Sequence, residues 1–195
     1  MGVNNLDYLN VIERKIIDEL RIFFNGKDGG PTNPKVFVSG QFPEPENLKF
    51  PSVILQQIGS GFEESLIGET LTMTDPDDGS VDTYTGEIFG VGFMIHIILD
   101  KEAEIDVGTT PQGSSKYRQR RLLNWMMLNI ANTINNIDWT AKMTSHAQLS
   151  YDPKYDASVE VVERHLQAWR DVGFNPTFQW WGATAQIMIT FKNYR

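Results

Sequence analysis

The chain has 195 residues, of which 41% are hydrophobic and 22% charged, the size and composition of one globular domain. Asp and Glu number 25 against 17 Lys and Arg, and the net charge of −8 argues against a protein that coats DNA, because duplex binding requires cations that neutralise phosphates. Cysteine is absent, which excludes disulfides, thiolate metal sites and cysteine nucleophiles. We therefore expect a single domain over 1–195 that makes no contact with a membrane, since the most apolar run is about half as long as a spanning helix.

Hydrophobic periodicity predicts a helix at the start of the chain. Apolar residues recur at three- and four-residue spacing over 6–24, and Asn25-Gly26 marks the end of that helix. Short strands are predicted at 35–39 and 52–58, with a proline-marked loop between them.

The segment 59–82 interrupts every regular pattern and predicts a long hairpin arm or loop. Its run Asp75-Pro-Asp-Asp-Gly79 resembles the start of a calcium loop, but the spacing does not fit, since Ser80 stands where glycine is required and Gly86 where glutamate is required. We interpret the run as an acidic turn.

Strict alternation over 89–99 predicts the longest strand of the chain. If this strand continues to Val107, four carboxylates lie in a row on one side, because alternate residues of a strand share a face. Like charges so close destabilise a sheet unless a cation lies near. This acidic row consists of Asp100, Glu102, Glu104 and Asp106.

A basic segment follows the loop 108–115. The helix predicted over 116–134 opens with four cations, which are unfavourable at the positive end of a helix dipole. They are Lys116, Arg118, Arg120 and Arg121. We expect the acidic row and these cations to pair, either within one chain or between subunits of a ring. The acidic row is alternatively the wall of a channel that repels DNA.

The remaining pattern predicts a strand over 139–151, a helix capped near Asp156 and reaching Trp169, and a last strand over 178–191. In that last strand, the adjacent Trp180 and Trp181 point to opposite faces. The order α-β-β-β-α-β-α-β predicts an α+β fold with an antiparallel or mixed sheet flanked by helices.

The motif search points away from catalysis. The chain has no phosphate-binding glycine loop and no nucleophile elbow, and its three histidines lack metal-binding spacing. We expect no enzymatic activity, no cofactor and no metal. One alternative is a small hydrolase that uses His96 with Asp100 or Glu102, although His96 and Asp100 stand roughly 13 Å apart on a straight strand. Another alternative is a peptide-binding adaptor that uses an exposed strand edge.

Features along almost the whole chain resemble those of another class of protein. They are the helix 6–24, Val36-Phe-Val-Ser39, Pro51-Ser-Val-Ile-Leu-Gln-Gln-Ile58, the glycine-bearing arm, the strand 87–99, Arg118-Gln-Arg-Arg-Leu-Leu-Asn-Trp125 and the final strand 180–194. Together they resemble the tail terminator (tail-completion or neck) proteins of tailed bacteriophages. That family has no sharp motif, so no residue role is carried over by position.

The resemblance implies a structural virion protein of the phage tail or neck, made in the host cytoplasm. Its subunits would form a homohexameric ring that caps the tail tube and joins it to the head connector and other neck proteins. A contractile tail would add a contact with the sheath, and DNA would pass through the lumen without specific binding. Other head–tail joining, tube or sheath-associated subunits are alternatives of the same class. The candidate subunit-interface or lumen residues are Asp100, Glu102, Glu104, Asp106, Lys116, Arg118, Arg120 and Arg121.

Overall fold

A computed structural model describes residues 6–26, 35–64, 70–74, 79–107, 116–139, 160–177 and 179–194. These residues form helices α1 (Leu6–Asn25) and α2 (Gln119–Asn135), a single turn of 3-10 helix (Pro45–Asn47) and nine strands. The strands are β1 (Phe37–Ser39), β2 (Ser52–Glu64), β3 (Thr70–Thr74), β4 (Val81–Asp100), β5 (Glu104–Asp106), β6 (Lys116–Arg118), β7 (Glu160–Leu166), β8 (Arg170–Asn175) and β9 (Trp180–Tyr194).

The main sheet has the order β1-β2-β4-β9-β7. It is mixed, because β1 runs parallel to β2 while β4 pairs antiparallel with both β2 and β9. Strands β7 and β8 pair with successive parts of β9, and between them the Gln167 N–H donates to the Gln186 carbonyl at 2.8 Å. Strands β5 and β6 form a separate antiparallel pair. This arrangement confirms the predicted α+β class.

The hydrophobic core lies between one face of the sheet and the two helices. Odd-numbered residues of β4 from Val91 to Leu99 are buried on this face, and the register with β9 places Phe93 beside Ile187 and Val91 beside Ile189. Helix α1 contributes Ile16 and α2 contributes Ile130, both fully buried. Each such side chain stabilises the fold by about 1.5–3 kcal/mol relative to exposure. The apolar residues whose spacing predicts α1 and β4 are thus the ones that face the core.

The opposite face of the sheet is covered only in part by described residues. Ile54 and Ile98 are buried there, whereas Met94 and His96 are partly exposed. Phe42, from the loop after β1, contacts the His96 ring at 4.9 Å between centroids.

Hydrogen bonds fix the end of α1 to the edge strand β1. The Asn25 side-chain amide donates to the Val36 carbonyl at 3.0 Å, and its oxygen accepts from the Val36 N–H at 3.1 Å. The Arg21 guanidinium donates twice to the Val38 carbonyl, from Nε at 3.2 Å and Nη2 at 3.0 Å. The side chains of Asn25 and Arg21 therefore supply the hydrogen bonds that a neighbouring strand would otherwise give to the backbone of Val36 and Val38.

Two element boundaries predicted from the sequence near the acidic row are wrong: the end of the long strand and the start of the second helix. The long strand does not continue to Val107, because its ladder partner β9 begins at Trp180, which pairs with Asp100. The chain turns there and resumes as β5. The second helix begins at Gln119 instead of Lys116, because Lys116–Arg118 pair with β5 as strand β6.

The helix predicted over 156–169 is also wrong from residue 160 onward, whereas 156–159 lie outside the described residues. Residues 160–166 form β7 and residues 170–175 form β8. Valines are β-branched and fit a pleated surface better than a helix, and pairing with β9 decides the outcome. The predicted strand over 139–151 lies outside the described residues, except for Trp139, which is buried.

The predicted arm contains more strand than its glycines indicate. Residues 59–64 complete β2, and β3 pairs antiparallel with the first part of β4, from Thr70 opposite Thr85 to Thr74 opposite Val81. Strand β3 and the first part of β4 thus form an antiparallel pair, and β4 continues from it into the main sheet, while 65–69 and 75–78 lie outside the described residues.

We expect Asn25→Ala to lower the free energy of unfolding by about 1–3 kcal/mol, because it leaves the N–H and carbonyl of buried Val36 without their side-chain partner. Urea denaturation followed by circular dichroism measures the change. The control is Asn124→Ala, which removes an exposed amide from α2. Equal effects of the two substitutions would contradict the role given to Asn25.

Candidate functional site

The acidic row bends at a tight turn. The Ala103 N–H donates to the Asp100 carbonyl at 3.3 Å, which places Lys101 and the exposed Glu102 in the turn. Asp100 therefore belongs to the main sheet, whereas Glu104 and Asp106 belong to β5. The four carboxylates do not form one continuous row along a strand.

Strands β5 and β6 bring opposite charges together within the chain. The ladder sets Glu104 opposite Arg118 and Asp106 opposite Lys116. The Glu104 carboxylate forms a salt bridge with Lys116 Nζ at 2.7 Å and a second with the Arg118 guanidinium. Hydrogen bonds from Lys116 and Arg118 lower the pKa of Glu104 below its ordinary value of 4.5.

The two remaining cations of the basic segment also contact residues of the same chain. Arg120 forms a salt bridge with Asp171 of β8, which connects the start of α2 to an edge strand. The Arg121 guanidinium stacks over the Tyr117 ring, 4.1 Å from its centroid. Some of the predicted pairs of opposite charges thus form within one chain. A role for these residues between subunits or in a lumen stays a prediction.

An aromatic cluster joins the end of α1 to the start of α2. The Trp125 ring lies 6.1 Å from Phe23, 5.9 Å from Phe24 and 6.4 Å from Tyr117, measured between centroids. Phe24 is buried, but Phe23 keeps 43% of its surface exposed. Aromatic contacts of this kind stabilise by roughly 0.5–1.5 kcal/mol beyond the area that they bury.

This cluster adjoins the cations to form a surface that we call the aromatic–basic patch. It consists of Phe23, Tyr117, Arg118, Arg121 and Trp125. The sequence interpretation missed it, because Phe23 and Trp125 are far apart in the chain. The four-residue spacing of Tyr117, Arg121 and Trp125 is the sequence signal that could have identified the part of the patch that lies outside α1.

His96 and Asp100 share the face of the sheet that the helices leave open, with Ile98 between them on that face. His96 Nε2 and Asp100 Oδ1 are buried atoms with no hydrogen-bond partner among the described residues. Burial lowers the pKa of His96 below 6.5. A hydrolase that uses these two groups stays a prediction, and their separation along β4 still opposes a direct hydrogen bond.

Comparison with known proteins finds no family model and no curated protein that matches the chain. Among the described residues, no cluster of three or more His, Asp and Glu side chains is suited to a metal ion. No helix within that part of the chain has the length and apolar character needed to cross a membrane.

We expect Glu104→Gln to destabilise the fold at neutral pH and to lose this effect in acid. Because the folded-state pKa of Glu104 is lowered, its ionised form stabilises the fold above the ordinary pKa of 4.5. That contribution disappears as the pH falls through the lowered pKa. Urea midpoints of wild type and variant across this pH range measure the difference.

The matched control is Glu102→Gln, which removes one negative charge from the neighbouring turn and leaves the Glu104 salt bridges in place. If both variants shift the urea midpoint equally at every pH, the Glu104 salt bridges do not carry the effect.

Proposed function

We propose that this chain is a structural virion protein of a tailed phage, a tail terminator or neck subunit. In this proposal six copies form a ring that caps the tail tube and joins it to the head connector. The observation that carries the proposal is the pair of strand edges on the main sheet that have no strand partner among the described residues.

The first of these edges belongs to β2. Strand β1 pairs with only Ser52–Ile54, so from Leu55 to Glu64 the described part of the chain offers β2 no strand partner except β4. The second edge belongs to β7 and β8, which pair only with β9 within the described residues. Unprotected edges are templates for another chain, because their backbone N–H and carbonyl groups need partners.

The two edges differ in sequence and length, so a contact that joins one edge to the other joins unlike surfaces. A contact between unlike surfaces is head-to-tail, and head-to-tail contacts generate closed rings or open filaments. A two-fold dimer would instead join like surfaces. This supports a ring-forming subunit over an isolated adaptor, although a tube or sheath-associated subunit has the same requirement.

The charge of the chain is compatible with the passage of DNA through such a ring. A net charge of −8 disfavours binding to phosphates. The cations of β6 and of the start of α2 contact Glu104, Asp171 and the Tyr117 ring. DNA would therefore move past the ring without being held.

Native mass spectrometry and light scattering of the purified protein test the proposal. We expect a closed oligomer of about six subunits, and negative-stain images with a central channel. Because strand-edge pairing uses backbone hydrogen bonds, the oligomer should persist at high salt, which screens surface charge pairs. A monomer at every salt concentration together with images that lack rings would contradict the proposal.

A further inference from the structure

Helix α2 presents a side without charged residues to the outside of the protein. Residues 122–137 contain no Asp, Glu, Lys, Arg or His, whereas α1 has seven charged residues among its 20. A surface helix ordinarily carries charged side chains on its solvent side, and depletion of charge marks the core of a protein interface. Leu128 lies in the middle of this side and has 61% of its surface exposed. The outward side of α2 therefore has the composition of a contact surface.

The exposed residues on this side are arranged symmetrically about Leu128. Spacings of three, four, four and three residues place them in one stripe along the helix. They are Arg121, Asn124, Leu128, Asn132 and Asn135, and we call them the α2 face. Arg121 and Asn135 stand seven residues from Leu128, and Asn124 and Asn132 stand four. A helix turned end over end about Leu128 therefore presents the same positions again.

We propose that the α2 face is a two-fold contact between two copies of this chain, in which the two α2 helices pack antiparallel and cross at Leu128. A two-fold contact joins a surface to itself, so the surface must be complementary to itself. In this arrangement Leu128 meets Leu128 of the second copy. Asn124 lies level with Asn132 of the second copy, where the two amides exchange hydrogen bonds. Trp125 lies level with Ala131, so a large side chain has a small one beside it.

Charge favours the antiparallel direction. Arg121 lies near the start of α2, where its guanidinium contacts the Tyr117 ring but forms no salt bridge with a described residue. The other end of α2 is the negative end of the helix dipole, has no basic residue in its last turn and is followed by the exposed Asp138. Arg164 of β7 donates to the Asn135 carbonyl there at 2.7 Å, so this end stays negative on balance. Antiparallel packing brings each Arg121 towards such an end, whereas parallel packing would bring two Arg121 side chains together.

The size of the α2 face determines how tightly two copies associate. Helix α2 has 17 residues and is about 25 Å long. One helix from each copy buries less than the roughly 1,200–2,000 Å² of a stable protein interface, so we expect a reversible dimer whose population rises with protein concentration. The contact uses the helix layer, whereas the proposed ring uses the strand edges. The inference therefore does not rest on the ring.

Disulfide crosslinking tests the geometry, since the chain has no cysteine. Leu128→Cys places two thiols at the crossing point, and we expect its covalent dimer to form at least about tenfold faster than that of Arg14→Cys, an exposed position on α1. Asn124→Cys alone should crosslink as slowly as this control, because two copies of position 124 lie about 12 Å apart along the helices. Mixed with Asn132→Cys, it should crosslink rapidly.

Charges introduced at position 128 test the same contact without oxidation. Leu128→Lys and Leu128→Glu each bring two like charges together at the crossing point, so each should raise the dissociation constant of the dimer at least about tenfold in sedimentation velocity. An equimolar mixture of the two variants should restore association, because opposite charges then meet. The control Arg14→Glu changes an exposed residue of α1 and should leave the dissociation constant unchanged. Circular dichroism confirms that each variant is folded.

The results decide which partner occupies the α2 face. Rapid crosslinking of Leu128→Cys and of the mixture of Asn124→Cys with Asn132→Cys, together with rescue by mixed charges, supports the two-fold contact. Equal crosslinking rates at every position, or association that neither charge at position 128 weakens, overturns it and leaves the face to a partner other than this chain. A ring by mass without the crosslinking pattern overturns the helix contact alone. A dimer with the pattern and no ring supports the helix contact and contradicts the ring.

Discussion

The ladder between β4 and β9 is the constraint on which the rest of the structure depends. Fifteen consecutive residue pairs, from Gly86 opposite Tyr194 to Asp100 opposite Trp180, fix which residues of both strands face the helices. A shift of one residue would turn Phe93 and Ile187 away from the core and bring polar side chains into it. Burial of that face therefore holds the register, and the register in turn fixes where every neighbouring strand begins and ends.

The position of the charged segments follows from where this ladder stops. Because β9 starts at Trp180, β4 has no partner after Asp100, and the chain turns to form β5. The turn brings Glu104 opposite Arg118, so that an acidic and a basic segment neutralise one another beside the main sheet. Exposed ion pairs contribute little to stability individually.

Long periodic elements could be predicted from the sequence, and elements that depend on distant pairing could not. Helix α1 and strand β4 each repeat their apolar pattern over many residues, so local sequence is sufficient. Val162, Leu166 and Trp169 show helical spacing, yet pairing with β9 makes residues 160–166 and 170–175 strands. Local spacing is ambiguous there, and tertiary contacts override it.

In the candidate site too, features set by local sequence could be predicted and features set by distant contacts could not. The sequence identifies the opposite charges of the acidic and basic segments. It does not predict the turn at Lys101 and Glu102, because neither residue is a glycine, proline or asparagine. The aromatic–basic patch depends on the packing of α1 against α2, which places Phe23 beside Trp125 across a hundred residues of chain. No local pattern encodes that contact, although each of its aromatic residues is visible in the sequence.

The unpaired strand edges link the architecture to assembly. The edge of β2 from Leu55 onward and the edge formed by β7 and β8 lie on opposite sides of the β4–β9 pair, and neither has a strand partner among the described residues. If the first edge of one copy pairs with the second edge of the next, copies follow one another head to tail, and such a series either closes or grows without limit. A subunit that ends the growth of a tube must itself close, so the angle between successive copies is the quantity that separates a terminator from a filament.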